Sequence, residues 1–161
     1  MSAIKITTLK ILFSIFLLLT LFSCNKENSD KNLSSQKKPE EITFIGLSHV
    51  GGKRGNYRII KITKDSIHLE TGTNEEKTHK TWKKPITPST WKKLTSVFEI
   101  QDLDRTESSP SIQKTDGMDE SFQIKTTKKS HVFVNAYHDV HYRQFENFKN
   151  QLNTILPKEL Q

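Results

Sequence analysis

The stretch Tyr57-Arg58-Ile59-Ile60-Lys61-Ile62-Thr63-Lys64-Asp65-Ser66-Ile67-His68-Leu69-Glu70 decides the fold class. Ile67-His68-Leu69-Glu70 alternates apolar and polar with the two-residue period of a half-buried strand, and the turn-like Lys64-Asp65 joins it to the isoleucine-rich Tyr57–Ile62. Upstream, Ile42, Phe44 and Ile45 open another apolar segment that the glycine-rich Val50-Gly51-Gly52-Lys53-Arg54-Gly55-Asn56 breaks. Three antiparallel strands are predicted here. Thr78 to Lys84, around Trp82, adds a fourth that ends before Pro85.

Downstream the period changes. Thr87-Pro88 reads as a helix start, with a hydroxyl at the cap and proline at the first helical position. Trp91, Leu94 and Phe98 follow at spacings of three and four, so one stripe faces a core while Lys92, Lys93 and Ser96 face water. Ser121 to Lys125 and His131 to Tyr137 then flank Thr127-Lys128-Lys129-Ser130 as a hairpin. Asp139 is placed to cap a last helix, with Phe145, Phe148, Leu152, Ile155 and Leu156 at helical spacing up to Pro157. The expected fold is α+β: an antiparallel sheet of five to six strands with two helices packed on one face, in the order β-β-β-(β)-α-β-β-α.

Residues 1–23 have a different character. Lys5 and Lys10 precede an apolar run from about Ile11 to Phe22, with no acidic residue and with Ser23 before Cys24. This is the order of a secretory signal, and about a dozen apolar residues fall short of the roughly twenty that a spanning helix needs. Cys24 is the one cysteine in the chain, so it has no disulfide partner within it. Leu21-Phe22-Ser23-Cys24 resembles a bacterial lipobox, which implies cleavage before Cys24 and a thioether-linked diacylglycerol with a further acyl chain, such as palmitate, on the new amine. Two or three acyl chains hold a protein at a membrane essentially permanently. Asn25 stands where an aspartate would, by the same resemblance, favour inner-membrane retention, so the expected destination is the outer membrane.

Residues 24–40 are almost devoid of apolar side chains after Cys24 and read as a flexible tether. A coil of that length reaches roughly 20 Å. Residues 41–161 then have the size of a single domain. Cleavage would remove two lysines and no acid, leaving 23 basic and 18 acidic residues and a net charge of +5 instead of +7. The basic residues are dispersed in pairs, which suits a solvated surface or weak attraction to anionic lipid or glycan, and nucleic acid is not an expected partner.

The order of an early glycine-containing hairpin, a middle helix and a final strand pair leading into a terminal helix resembles small bacterial lipoproteins of uncharacterised function. The resemblance rests on Gly51-Gly52 and Gly55 before Tyr57, on the Asp116-Gly117-Met118-Asp119 turn before a strand, and on the helical pattern. It implies an anchored α+β domain and no particular reaction.

Three constellations carry candidate chemistry. Lys53 and Arg54 lie among glycines whose backbone amides could cradle an anion, although a flexible hairpin loop explains the same residues. His138, Asp139 and His141, with His131 earlier on a strand, are residue types that suit zinc or copper, while Asp139 is equally explained as a helix cap. Asp116 and Asp119 end a long polar passage from Arg105 to Glu120, of a length often associated with function, but their spacing is not that of an EF-hand. No Gly-x-Ser-x-Gly elbow is present, and no histidine is placed by sequence beside a nucleophile. The first expectation is therefore a lipid-anchored, non-enzymatic module without a cofactor, binding an envelope protein, a glycan or anionic lipid. The alternative is a small metal-dependent enzyme or hydrolase with a site near His138, Asp139 and His141.

Overall fold

The pattern around Lys64-Asp65 folds as expected, into the inner hairpin of a larger sheet. A computed structural model describes residues 38–160; the expected signal segment, Cys24 and most of the expected tether lie outside the described residues. Strands β1 (Ile42–Gly51), β2 (Asn56–Ile62), β3 (Ser66–Thr73) and β4 (Thr78–Pro85) form a meander, and β5 (Met118–Thr126) and β6 (Ser130–Val134) form a hairpin. All neighbours pair antiparallel in one six-stranded sheet of order β4-β3-β2-β1-β5-β6. Between β4 and β5 the chain forms helices α1 (Pro88–Thr95) and α2 (Ile100–Leu103), and after β6 it forms α3 (Arg143–Asn153).

The register explains the core. Residues directly opposite across antiparallel strands share a face, so Trp82, Leu69, Ile60, Leu47, Phe122 and Phe133 make one continuous row across all six strands. A parallel row holds Ile67, Ile62, Ile45 and Ile124. Leu94, Phe98, Phe145, Phe148 and Leu152 complete a single buried cluster with them. Phe145 sits at its centre, with its ring 4.7 Å from that of Phe122, 5.2 Å from Phe133 and 5.6 Å from Phe98. A fully buried side chain of this kind contributes roughly 1.5–3 kcal/mol.

The helix signals fare unequally. Thr87 caps α1 as expected, accepting a hydrogen bond from the Thr90 amide at 3.2 Å, with Pro88 at the first helical position. The last helix starts later than expected. Asp139 terminates a 3-10 turn, Ala136–His138, and its carboxylate accepts from the His141 amide at 2.7 Å, so it shapes the approach to α3 and does not cap it. The fourth strand includes Pro85, which is tolerated because β4 lies at the sheet edge. That edge carries Lys80, Lys83 and Lys84, a charge pattern that opposes further strand pairing. The one-turn α2 was not expected, because four residues show no period; its leading amide at Glu99 donates to Gln144 Oε1 at 3.0 Å. No described helix is long and apolar enough to cross a membrane.

Candidate functional site

Two residues further along each strand, on the face that carries the core, the apolar rows stop. Leu47 is followed by His49, Leu69 by Thr71 and, in the opposite chain direction, Ile60 by Arg58, Trp82 by Lys80 and Phe122 by Glu120. The register places these in one line: Lys80 opposite Thr71, Thr71 opposite Arg58, Arg58 opposite His49, and His49 opposite Glu120. A second line lies beyond it, with Thr78, Thr73, Asn56, Gly51 and the exposed Met118 opposed in turn. Five strands thus change from core to polar surface at the same level of the sheet.

One half of this row is closed. Glu120 Oε2 accepts from His49 Nε2 at 3.0 Å and from Lys149 Nζ at 2.8 Å, while its Oε1 accepts from the Tyr142 hydroxyl. Lys149 also donates to the Tyr142 oxygen at 2.6 Å and lies 4.9 Å from that ring's centroid. Burial alone would raise the Glu120 pKa, but the hydrogen bonds from His49, Lys149 and Tyr142 outweigh it and hold the carboxyl at about 2. Burial and the Glu120 carboxylate together raise the Tyr142 pKa. On Lys149, burial is outweighed by the bonds to Glu120 and Tyr142, and its pKa rises. The carboxylate is therefore ionised and internally neutralised.

The other half is open. A pocket of about 490 Å³ is lined by His49, Asn56, Tyr57, Arg58, Thr71, Gly72, Thr73, Thr78, Lys80 and Met118, within the range of small-ligand sites. Arg58 Nε donates to the Leu160 carbonyl at 3.1 Å, which ties the C-terminal turn to the sheet. Its Nη2 is buried with no hydrogen-bond partner, and burial lowers its pKa. None of the lining residues is acidic, and among the described residues no carboxylate pairs with Arg58 or Lys80.

The residues singled out by sequence lie elsewhere. Lys53 and Arg54 occupy the β1–β2 turn, where Arg54 Nη1 lies 3.0 Å from Glu76 Oε1 and Lys53 is exposed. Gly51 is required there, because a Cβ would stand 2.2 Å from the Gly117 carbonyl oxygen. Asp119 is buried: its carboxylate accepts from Ser111 Oγ at 2.6 Å, the Ile112 amide at 2.9 Å and Asn135 Nδ2 at 2.7 Å. Desolvation opposes these bonds, and the bonds prevail, so the Asp119 pKa is lowered. Asn135, in the left-handed region at φ 48°, also donates to the Pro110 carbonyl at 3.1 Å. Together they pin the long polar passage across the end of β5 and β6. Asp116 is exposed and left-handed at φ 58°, in the turn leading to β5.

His138, Asp139 and His141 do share a concavity, of about 420 Å³, with Arg105, Glu107, Ser108, Ser109 and Val140. The Asp139 carboxylate is already engaged by the amides of Glu107 at 3.0 Å and His141 at 2.7 Å. His141 Nδ1 lies 3.4 Å from Asp102 Oδ2. His131 is on β6, opposite Ile124, with Nδ1 3.6 Å from Asp104 Oδ1. Among the described residues no group of three or more His, Cys, Asp or Glu side chains is arranged to hold a metal ion. Trp91 packs partly buried against the core.

The chain matches no protein-family model and no curated protein.

Proposed function

We propose that this chain is a lipid-anchored protein of the bacterial cell envelope, held through Cys24 at the outer membrane, whose domain is a non-enzymatic binding module with the 490 Å³ pocket as its ligand site. The anchor rests on the lipobox-like Leu21-Phe22-Ser23-Cys24 and the polar tether after it. The binding role rests on one observation above all. The core face of the sheet runs out from under its helices into a row of cross-strand neighbours, Lys80, Thr71, Arg58 and His49, that supplies hydrogen-bonding groups to an open concavity.

The Asp139 concavity supports the alternative of a hydrolase or metal-dependent enzyme less well. Its carboxylate serves the backbone on both sides, and the histidines beside it do not converge on one point with a third ligand.

The test is photo-crosslinking in intact cells. A photoreactive residue replaces the exposed Met118 at the pocket rim, and another replaces the exposed Lys93 on α1 as a control. A discrete adduct from position 118 that position 93 does not give is the expected result. Equal patterns from the two positions, or none from 118, contradict the reading.

A further inference from the structure

We infer that the pocket takes an anionic group, a carboxylate or phosphate, carried on a small polyhydroxyl body such as a sugar; this rests on the pocket being the ligand site. The electrostatics of the row are asymmetric. At one end Glu120 is neutralised by Lys149 and has both oxygens occupied, by Tyr142 on Oε1 and by His49 and Lys149 on Oε2. It therefore offers no counter-charge to its neighbours. Along the rest of the row Arg58 and Lys80 flank Thr71, which is directly opposite each of them. Residues so placed bring two cations to one strip of surface, with between them Thr71, whose hydroxyl donates to the Tyr57 carbonyl at 3.1 Å, and no acidic residue lines the pocket.

Arg58 has more donors than acceptors. Of its five N–H bonds, the one on Nε reaches the Leu160 carbonyl, while Nη2 has no partner. A planar guanidinium of this kind matches the paired oxygens of a carboxylate or phosphate, and a lysine adds a point charge. The low dielectric that depresses the Arg58 pKa also strengthens any anion contact made there. The outer line adds the Asn56 amide, while the Thr73 and Thr78 hydroxyls lie 3.1 Å apart and also accept from the Glu76 and Thr73 amides. The Tyr57 ring and Met118 supply an apolar part of the lining, which suits the carbon face of a sugar ring.

The experiment uses the full chain in detergent, with amide chemical shifts followed during titration with glucuronate, glucose 6-phosphate, inorganic phosphate and uncharged glucose. Glucuronate and glucose 6-phosphate are expected to shift amides of β2, β3 and β4 around Arg58, Thr71 and Lys80 at millimolar concentration, and glucose is not. The ratio of the two anionic sugars tells carboxylate from phosphate, and inorganic phosphate tells whether the sugar body contributes. Lys80→Gln, at an exposed edge where folding is safe, is expected to weaken binding roughly tenfold, as is Arg58→Gln. Equal binding of glucose, affinity unchanged in Lys80→Gln, or no shift at these amides with any probe overturns the anionic assignment. Glucose shifting the pocket amides would leave the pocket a ligand site and remove the charge preference alone, whereas crosslinking from Met118 tests the site with no assumption about charge.

Discussion

His49 Nε2 stands 3.0 Å from Glu120 Oε2, at directly opposed positions of the neighbouring strands β1 and β5. The contact marks the boundary at which a sheet face stops being core. With the bonds from Lys149 and Tyr142 it also holds the Glu120 carboxyl ionised, which gives the first prediction.

The folded pKa of Glu120, about 2, lies below its ordinary value of 4.5. The contribution of this group is therefore fully present above pH 4.5 and is lost as pH falls through 2. Allowing for solvent screening of a partly exposed cluster, that contribution is about 1–2 kcal/mol. Urea unfolding between neutral pH and acid is expected to show Glu120→Gln destabilised by that amount at neutral pH, with the gap to the parent closing as pH falls. A constant gap across the range would show that the carboxylate charge is not involved.

Phe145 anchors α3 to the sheet through ring contacts with Phe122, Phe133 and Phe98. Phe145→Ala is expected to cost about 3–5 kcal/mol, because the rigid strands beneath cannot collapse into the space. Denaturant melts followed by circular dichroism measure it; a loss below about 1 kcal/mol would mean that the aromatic cluster is not the centre of the core.

Asn135 and Asp119 hold the polar passage from Arg105 to Gly117 by hydrogen bonds to Pro110, Ser111 and Ile112. Asn135→Ala removes two of the donor bonds and places alanine in the left-handed region, so a loss of about 2–4 kcal/mol is expected. Limited proteolysis should then cut between Arg105 and Lys114 much faster than in the parent. Unchanged cleavage would show that the passage is held by other contacts.

Much of this architecture was legible in the sequence. The period-two pattern at Ile67–Glu70, the Thr87-Pro88 cap and the helical spacing of Phe145, Phe148 and Leu152 each reflect short-range geometry, and each produced its element, although α3 ends at Asn153, before Ile155 and Leu156. The site was not legible, because it exists only through register. Lys80, Thr71, Arg58, His49 and Glu120 come from five strands, and Glu120 is 71 residues from His49 and 29 from Lys149. One signal was available: in the paired strands an apolar position is followed, two residues along, by a polar one, as in Leu47 to His49 and Leu69 to Thr71. It has meaning only once the strands are aligned. Asp119 illustrates the converse, since a carboxylate in a polar loop looks available until Asn135, distant in sequence, is seen to enclose it.

Cys24→Ser is expected to abolish incorporation of a fatty-acid analogue and to release or misprocess the protein. Retained label would contradict the anchor.

The measurement that bears most directly on the account is a paired reading of Lys80→Gln: crosslinking from position 118 in cells, and urea stability of the same variant. Lys80 lies on the exposed edge strand with no ion pair among the described residues, so its loss should change stability by less than about 0.5 kcal/mol. Crosslinking that falls sharply while stability holds is the predicted result; crosslinking at the parent level would contradict the part given to the Lys80 cation in ligand binding, and loss of the position-118 adduct in the parent itself would contradict the site.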